Sequence, residues 1–195
     1  MRAREQPRSP PSLPLMKPLP LLLALTLLPL SARSETLDLG LRGTFTITPP
    51  QGWTLSTQKE EDSGVALTFT PPSGVNAACL LNITFVPAEE KVTKEQVQES
   101  VLQLCEQFVD QSVEKKKVLK DITVEGGYGY YCAFTDASLV GQPTKKDSFK
   151  VMGVGIIHFS DELMATVGLS CDDLNGDDFK AMLAMVSGAT YAPKK

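Results

Sequence analysis

The densest set of oxygen donors in the chain is Cys171-Asp-Asp-Leu-Asn-Gly-Asp-Asp178. Oxygen-rich loops suit calcium, and Asp173-x-Asn175-x-Asp177 repeats the first three ligand positions of an EF-hand. The rest of that loop is missing. Asp178 stands where the sixth position needs glycine, and Ala184 stands where the twelfth needs a bidentate glutamate. The same residues have a simpler use. Asn175, Asp177 or Asp178 can cap a following helix, whose N-terminal dipole favours acids. Asp173, Asn175 and Asp177 are therefore candidate metal ligands on one reading and a helix start on the other.

His158 is the sole histidine, so any Ser-His or Cys-His catalysis would have to use it as base. It alternates with Met152, Val154 and Ile156 on one side of a strand pattern, and no Gly-x-Ser-x-Gly signature accompanies it. The four cysteines, Cys79, Cys105, Cys132 and Cys171, are widely and irregularly spaced, with no Cys-x-x-Cys pair. Zinc sites show close ligand pairs, so a metal role is disfavoured. Disulfides and buried free thiols both remain open, and four cysteines allow three complete pairings. Tyr128, Tyr130 and Tyr131, interleaved with Gly126, Gly127 and Gly129, are the candidate ligand-binding residues. They are equally ordinary strand residues. Asn82-Ile-Thr84 matches a glycosylation acceptor, but inside a strand pattern rather than a loop.

The elements that must position these groups read as strands first. Phe45–Thr48 is a short strand stopped by Pro49-Pro50, and a turn delivers Trp53 into another. Val65–Thr70 and Cys79–Val86 alternate with period two. Thr93–Glu114 reads as the main helix, N-capped by Thr93 with Gln96 completing a capping box. Val97, Val101, Leu104 and Phe108 make its apolar face, and Cys105 lies within it. Lys115–Lys117 then suits the helix C-terminus. Val118–Val124 and Tyr128–Thr135 are strands, followed by a polar loop, Asp136–Asp147. Phe149–Phe159 and Leu163–Cys171 form a hairpin. Asp177–Ser187 is a last helix ended by Gly188. Strands joined by short turns pair antiparallel, and helices cover them, which is an α+β arrangement.

The start of the chain gives an address. Lys17 precedes the apolar run Leu19–Leu30 and then Ala32-Arg33-Ser34, the pattern of a secretory signal peptide. The run is shorter than the roughly 20 residues that a spanning helix needs, and contains Pro20 and Pro29. No cysteine follows it to accept lipid, and Met16-Lys17 looks a more natural start than Met1. Residues 1–34 are thus expected to be an extension and signal peptide, and residues 35–195 a single α+β domain. Cleavage after Ser34 removes five of the 19 basic and one of the 23 acidic side chains, leaving 14 against 22, a net charge of −8. Such a domain has no electrostatic footprint for nucleic acid and no stable membrane anchor.

The opening Phe45-x-Ile47-x-x-Pro50-x-Gly52-Trp53, the order of elements and the apolar last helix resemble the Mog1/PsbP-like superfamily over residues 44–191. The resemblance implies an exported bacterial member of unknown function, with an antiparallel sheet between helices as an α/β/α sandwich. In a bacterial host the Asn82 acceptor would go unused. PsbP proteins support the oxygen-evolving photosystem, and Mog1 proteins act on a small nuclear GTPase. No residues here carry the first role, and the export signal opposes the second. The expectation is an exported, periplasmic or secreted, non-catalytic binding or accessory module without a cofactor. It would recognise another protein or a small ligand through the 136–147 loop or the 126–131 region. The competing expectation is a hydrolase or thiol-redox protein using His158 or a cysteine.

Overall fold

The structure is a computed structural model that describes residues 33–60, 64–87, 89, 91–143 and 145–194. The signal-peptide and start-site readings fall almost wholly outside the described residues. In chain order the elements are β1 (Glu35–Asp38), β2 (Thr44–Ile47), β3 (Thr54–Glu60), β4 (Gly64–Thr70), β5 (Ala78–Phe85), α1 (Lys94–Leu104) and α2 (Glu106–Val109). There follow β6 (Lys120–Ile122), β7 (Tyr128–Thr135), β8 (Val151–Ser160), β9 (Leu163–Cys171), α3 (Asp177–Ser187) and β10 (Thr190–Ala192).

Alternation builds a seven-stranded antiparallel sheet in the order β3-β4-β5-β9-β8-β7-β6. One face gathers Leu67 and Phe69 of β4, Cys79, Leu81 and Ile83 of β5, and the odd-numbered residues from Leu163 to Cys171 of β9, all buried. The amphipathic α3 lays Phe179, Met182 and Val186 on this face. A second sheet, β1-β2-β10, brings in Phe45 and Ile47, with the Phe45 ring set edge-on to Phe159 at 5.2 Å. Two glycines make the fit possible. A Cβ on Gly153 would come 3.1 Å from the Phe179 ring, and one on Gly155 would come 2.5 Å from the Tyr130 carbonyl oxygen.

The opposite face carries α1. Its capping box forms as the sequence requires: Gln96 N donates to Thr93 Oγ1 at 3.2 Å, and Thr93 N donates to Gln96 Oε1 at 2.8 Å. Val97, Val101 and Cys105 pack on Tyr130, Cys132, Phe134 and Val154 of β7 and β8. The α+β sandwich with helices on both faces is therefore the observed architecture.

The main helix is shorter than its apolar pattern predicts. It stops at Leu104, resumes as α2, and ends at Val109 rather than Glu114. The cause is an open edge. β6 pairs with β7 only over Gly129–Tyr131, so the far end of β7 needs another partner. Residues 111–114 supply it: Val113 N donates to Thr135 O at 2.8 Å and Ala137 N to Gln111 O at 2.9 Å. The Glu114 carboxylate accepts from Thr135 N and Oγ1 at 2.8 and 2.9 Å. These bonds outweigh helix propensity in that turn. The short strands β1 and β10 also have no signature of their own in the sequence. They exist because both edges of β2 were free to pair.

Candidate functional site

The two sheet faces are not equally covered. α1 lies over β7 and β8, and β3, β4, β5 and β9 are left bare on that side. The register places rows across the bare area: Ser56, Thr68, Leu80, Gly168; then Gln58, Ala66, Asn82, Thr166; then Glu60, Gly64, Thr84 and Met164. Thr54, Thr70 and Ser170 belong to the same side. Glu60 ends the third row at the β3 edge, and the other positions carry uncharged residues, although the chain as a whole carries 42 charged side chains, 19 basic and 23 acidic. Leu80, 42% exposed, stands at the centre. Beside it Gly168 leaves a dip in which an added Cβ would meet nothing nearer than Leu80 Cβ at 3.9 Å.

Where this area meets the helix, a groove of about 640 Å³ runs between Gln103, Leu104, Glu106 and Gln107 of the helical edge and Ile156 and Thr166 of the floor. It continues past Met164 and Thr84 to Val86, Pro87 and Val92 as a further 270 Å³. A largely apolar floor rimmed by hydroxyls, amides and the Glu106 carboxylate has the composition of a contact surface.

His158 borders the same side, between Met164 and Tyr128 in register. It is 5% exposed, and its ring stacks on Tyr128 at 4.6 Å with a 13° angle. Neither ring nitrogen has a hydrogen-bond partner among the described residues. No nucleophile is held against it. Burial lowers its pKa, and Asp161, 3.8 Å from Nε2, pulls the other way. The thiols are no better poised. Burial pushes Cys79 and Cys105 up to about 12 and Cys171 to about 11, where thiolate is scarce.

The three candidate tyrosines do not share a surface. Tyr130 and Tyr131 are both buried, on opposite faces: Tyr130 under α1 and Tyr131 against Phe179. Successive strand residues point opposite ways, which separates them. Tyr128 is half-buried, and its hydroxyl donates to Val92 O at 3.0 Å. The acidic stretch forms a turn into α3: Asn175 N donates to Asp173 Oδ1 at 2.9 Å, and Gly176 N to Asp173 O at 3.1 Å. Gly176 is the N-cap, and Asp177 and Asp178 fill the first turn. No cluster of three metal-binding side chains occurs among the described residues. The structure holds all four cysteines as buried free thiols.

Sequence reasoning missed Asn76. Its Nδ2 donates to Asp172 Oδ2 at 3.0 Å and to Ser148 O at 3.2 Å, and its Oδ1 accepts from Asp147 N at 3.1 Å. It ties the end of the 136–147 loop to β9, beside a cleft of about 700 Å³ that includes Phe149 and Val75. Asn in a Pro/Gly-rich turn reads as turn chemistry, so nothing flagged it.

No family model matches the chain. No curated protein matches it. A likeness to solved structures defines its class: the fold is PsbP-like. The solution structure of cyanobacterial PsbP (CyanoP) from Synechocystis sp. PCC 6803 aligns with 83% of this chain and 94% of its own, at 12% identity and a TM-score of 0.53. The fold expected from the Phe45–Trp53 opening is thus present. No helix among the described residues is long and apolar enough to cross a membrane.

Proposed function

We propose that the chain is an exported, non-catalytic binding module that docks another protein on the bare half of its sheet. The observation that carries this reading is the bare area over β3, β4, β5 and β9, in which Glu60 at the β3 edge is the one charged residue among the rows and Leu80 stands exposed at the centre. Strand spacing makes it roughly 15 Å across and 25 Å along. That shape suits a protein surface better than a small molecule, which needs enclosure. Leu80, Ile156 and Met164 supply apolar contact, while Asn82, Thr84, Thr166 and Gln103 supply adaptable hydrogen bonds at the rim. Export rests on the Leu19–Leu30 signal pattern. The absence of a partner at His158 favours this reading over hydrolysis.

A photocrosslinker placed at Leu80 in the exported protein tests it. One crosslinked protein is expected, and Gly168→Arg should abolish the adduct without changing the melting temperature, because the position has room. Loss of nothing on Gly168→Arg would sink the reading. So would turnover of any substrate that depends on His158 or a cysteine.

A further inference from the structure

Cys105 and Cys132 come from opposite partners of one packing contact, α1 on the sheet. Both are fully buried in the same cluster. The Cys105 thiol points at Val154 O, 3.8 Å away, and Val154 is the residue directly opposite Cys132 in the β7–β8 ladder. Directly opposed strand residues share a face with Cβ atoms about 5 Å apart. The two side chains are therefore neighbours in one buried cluster, both as free thiols. Cys79 and Cys171 are arranged differently. They sit across the sheet from this pair, on neighbouring strands, with Cys79 opposite Leu169 and so one diagonal from Cys171. Diagonal neighbours are about 7 Å apart, beyond the 3.5–4.5 Å between Cβ atoms that a disulfide needs. The Cys171 thiol instead turns to Asp173 O at 3.4 Å.

We propose that Cys105 and Cys132 are the one pair in this protein that closes as a disulfide, fastening α1 to the sheet. The local backbone suits the step. Cys105 lies at the break between α1 and α2, outside both helices, so a local shift of this segment can bring its thiol toward Cys132. The oxidant is a low-molecular-weight disulfide of the glutathione kind. One protein thiol, as thiolate, attacks a sulfur of the oxidant and releases its first thiol. The second protein thiolate attacks the mixed disulfide and releases the other. Two protein thiols lose two protons and two electrons, and the oxidant's S–S bond becomes two thiols. Burial raises the pKa of both thiols, so the attacking thiolate forms where the pair meets solvent. Burial also keeps the pair from the oxidant once α1 has docked, so closure belongs to folding or to transient opening.

The test uses the full chain refolded in a glutathione redox buffer, quenched in acid, alkylated after denaturation and mapped by peptide mass spectrometry. The expected product is two daltons lighter than the all-thiol protein, with one crosslinked peptide pair containing Cys105 and Cys132. Cys79 and Cys171 are alkylated in full. The oxidised form should melt several degrees above the reduced form. Reductant should lower the melting temperature of a Cys79→Ala, Cys171→Ala variant and leave that of Cys105→Ala, Cys132→Ala unmoved. Four alkylated thiols after refolding, or any crosslink that includes Cys79 or Cys171, overturns the proposal.

Discussion

One face of the seven-stranded sheet is roofed over its central strands, while the other is roofed only at the β7–β8 end. The roofed face uses α3 and the small β1-β2-β10 sheet to cover an apolar surface that runs from β4 across to β8. The half-roofed face has α1 over β7 and β8, and threonines, Asn82 and Leu80 in the open. The same strands serve both. Leu67 and Leu81 point into the core, and Thr68, Leu80 and Asn82 point out. Stability is thus concentrated on one side, and the other is free to take a partner.

Leu67→Ala should have the largest effect, because the side chain is 0% exposed and the site is closed by two layers. Its loss is expected to cost roughly 3–5 kcal/mol by transfer and cavity terms. Leu80→Ala, in the partner row of the next strand, should cost about 1 kcal/mol or less, since Leu80 is already 42% exposed. Denaturant unfolding of the two variants measures the contrast. Equal costs would mean that the open face is a covered core in solution.

The glycines sharpen the same contrast. Gly155→Ala drives a methyl to 2.5 Å from Tyr130 O and 2.8 Å from Tyr131 Cβ, and overpacking of this kind costs roughly 1–3 kcal/mol. Gly168→Ala meets only Leu80 Cβ at 3.9 Å and should leave the midpoint unchanged or raise it slightly. A large loss at Gly168 would show that the dip is filled. Between these in kind is Asn76→Ala, which unties the 145–148 turn from Asp172. About 1–2 kcal/mol is expected, with faster amide exchange at Asp147, whose N–H bonds Asn76 Oδ1 at 3.1 Å.

How much of this contrast was legible beforehand follows from its causes. Alternation in β4, β5, β7 and β9 and the Thr93 capping box are local patterns, and they placed those strands, the start of α1 and the whole of α3. The Mog1/PsbP-like resemblance added the sandwich. The early end of the main helix was not legible, because it depends on Glu114 reaching Thr135 across the sheet edge. Nor were β1 and β10, each of which forms by pairing with a free edge of β2. The candidate surface was missed for a related reason. Alternation says that Thr68 and Thr166 point away from the core, but not whether a helix lies above them. The tyrosines failed as a cluster because period two sends Tyr130 and Tyr131 to opposite faces, a consequence present in the sequence itself.

The smallest expected effect sits where roofed and bare areas meet. His158 is buried there without a hydrogen-bond partner among the described residues, its pKa lowered by burial. The unfolded chain takes up this proton near pH 6.5, and the folded protein only at lower pH. Between those points the unfolded state holds more protons, so stability falls as pH drops below about 6.5 and levels once the folded imidazole charges. Asp136 has the opposite origin and a different window. Its carboxyl is held below the usual range by hydrogen bonds from Ser138, so its contribution is lost only as pH falls below about 4. Melting temperature measured from pH 7.5 to 5 should therefore decline in the wild type and less in His158→Phe, which keeps the ring stacked on Tyr128. An unchanged slope in the variant would mean that water already reaches this ring, and the roof over the α1 side would end one residue row earlier, before His158 rather than after it.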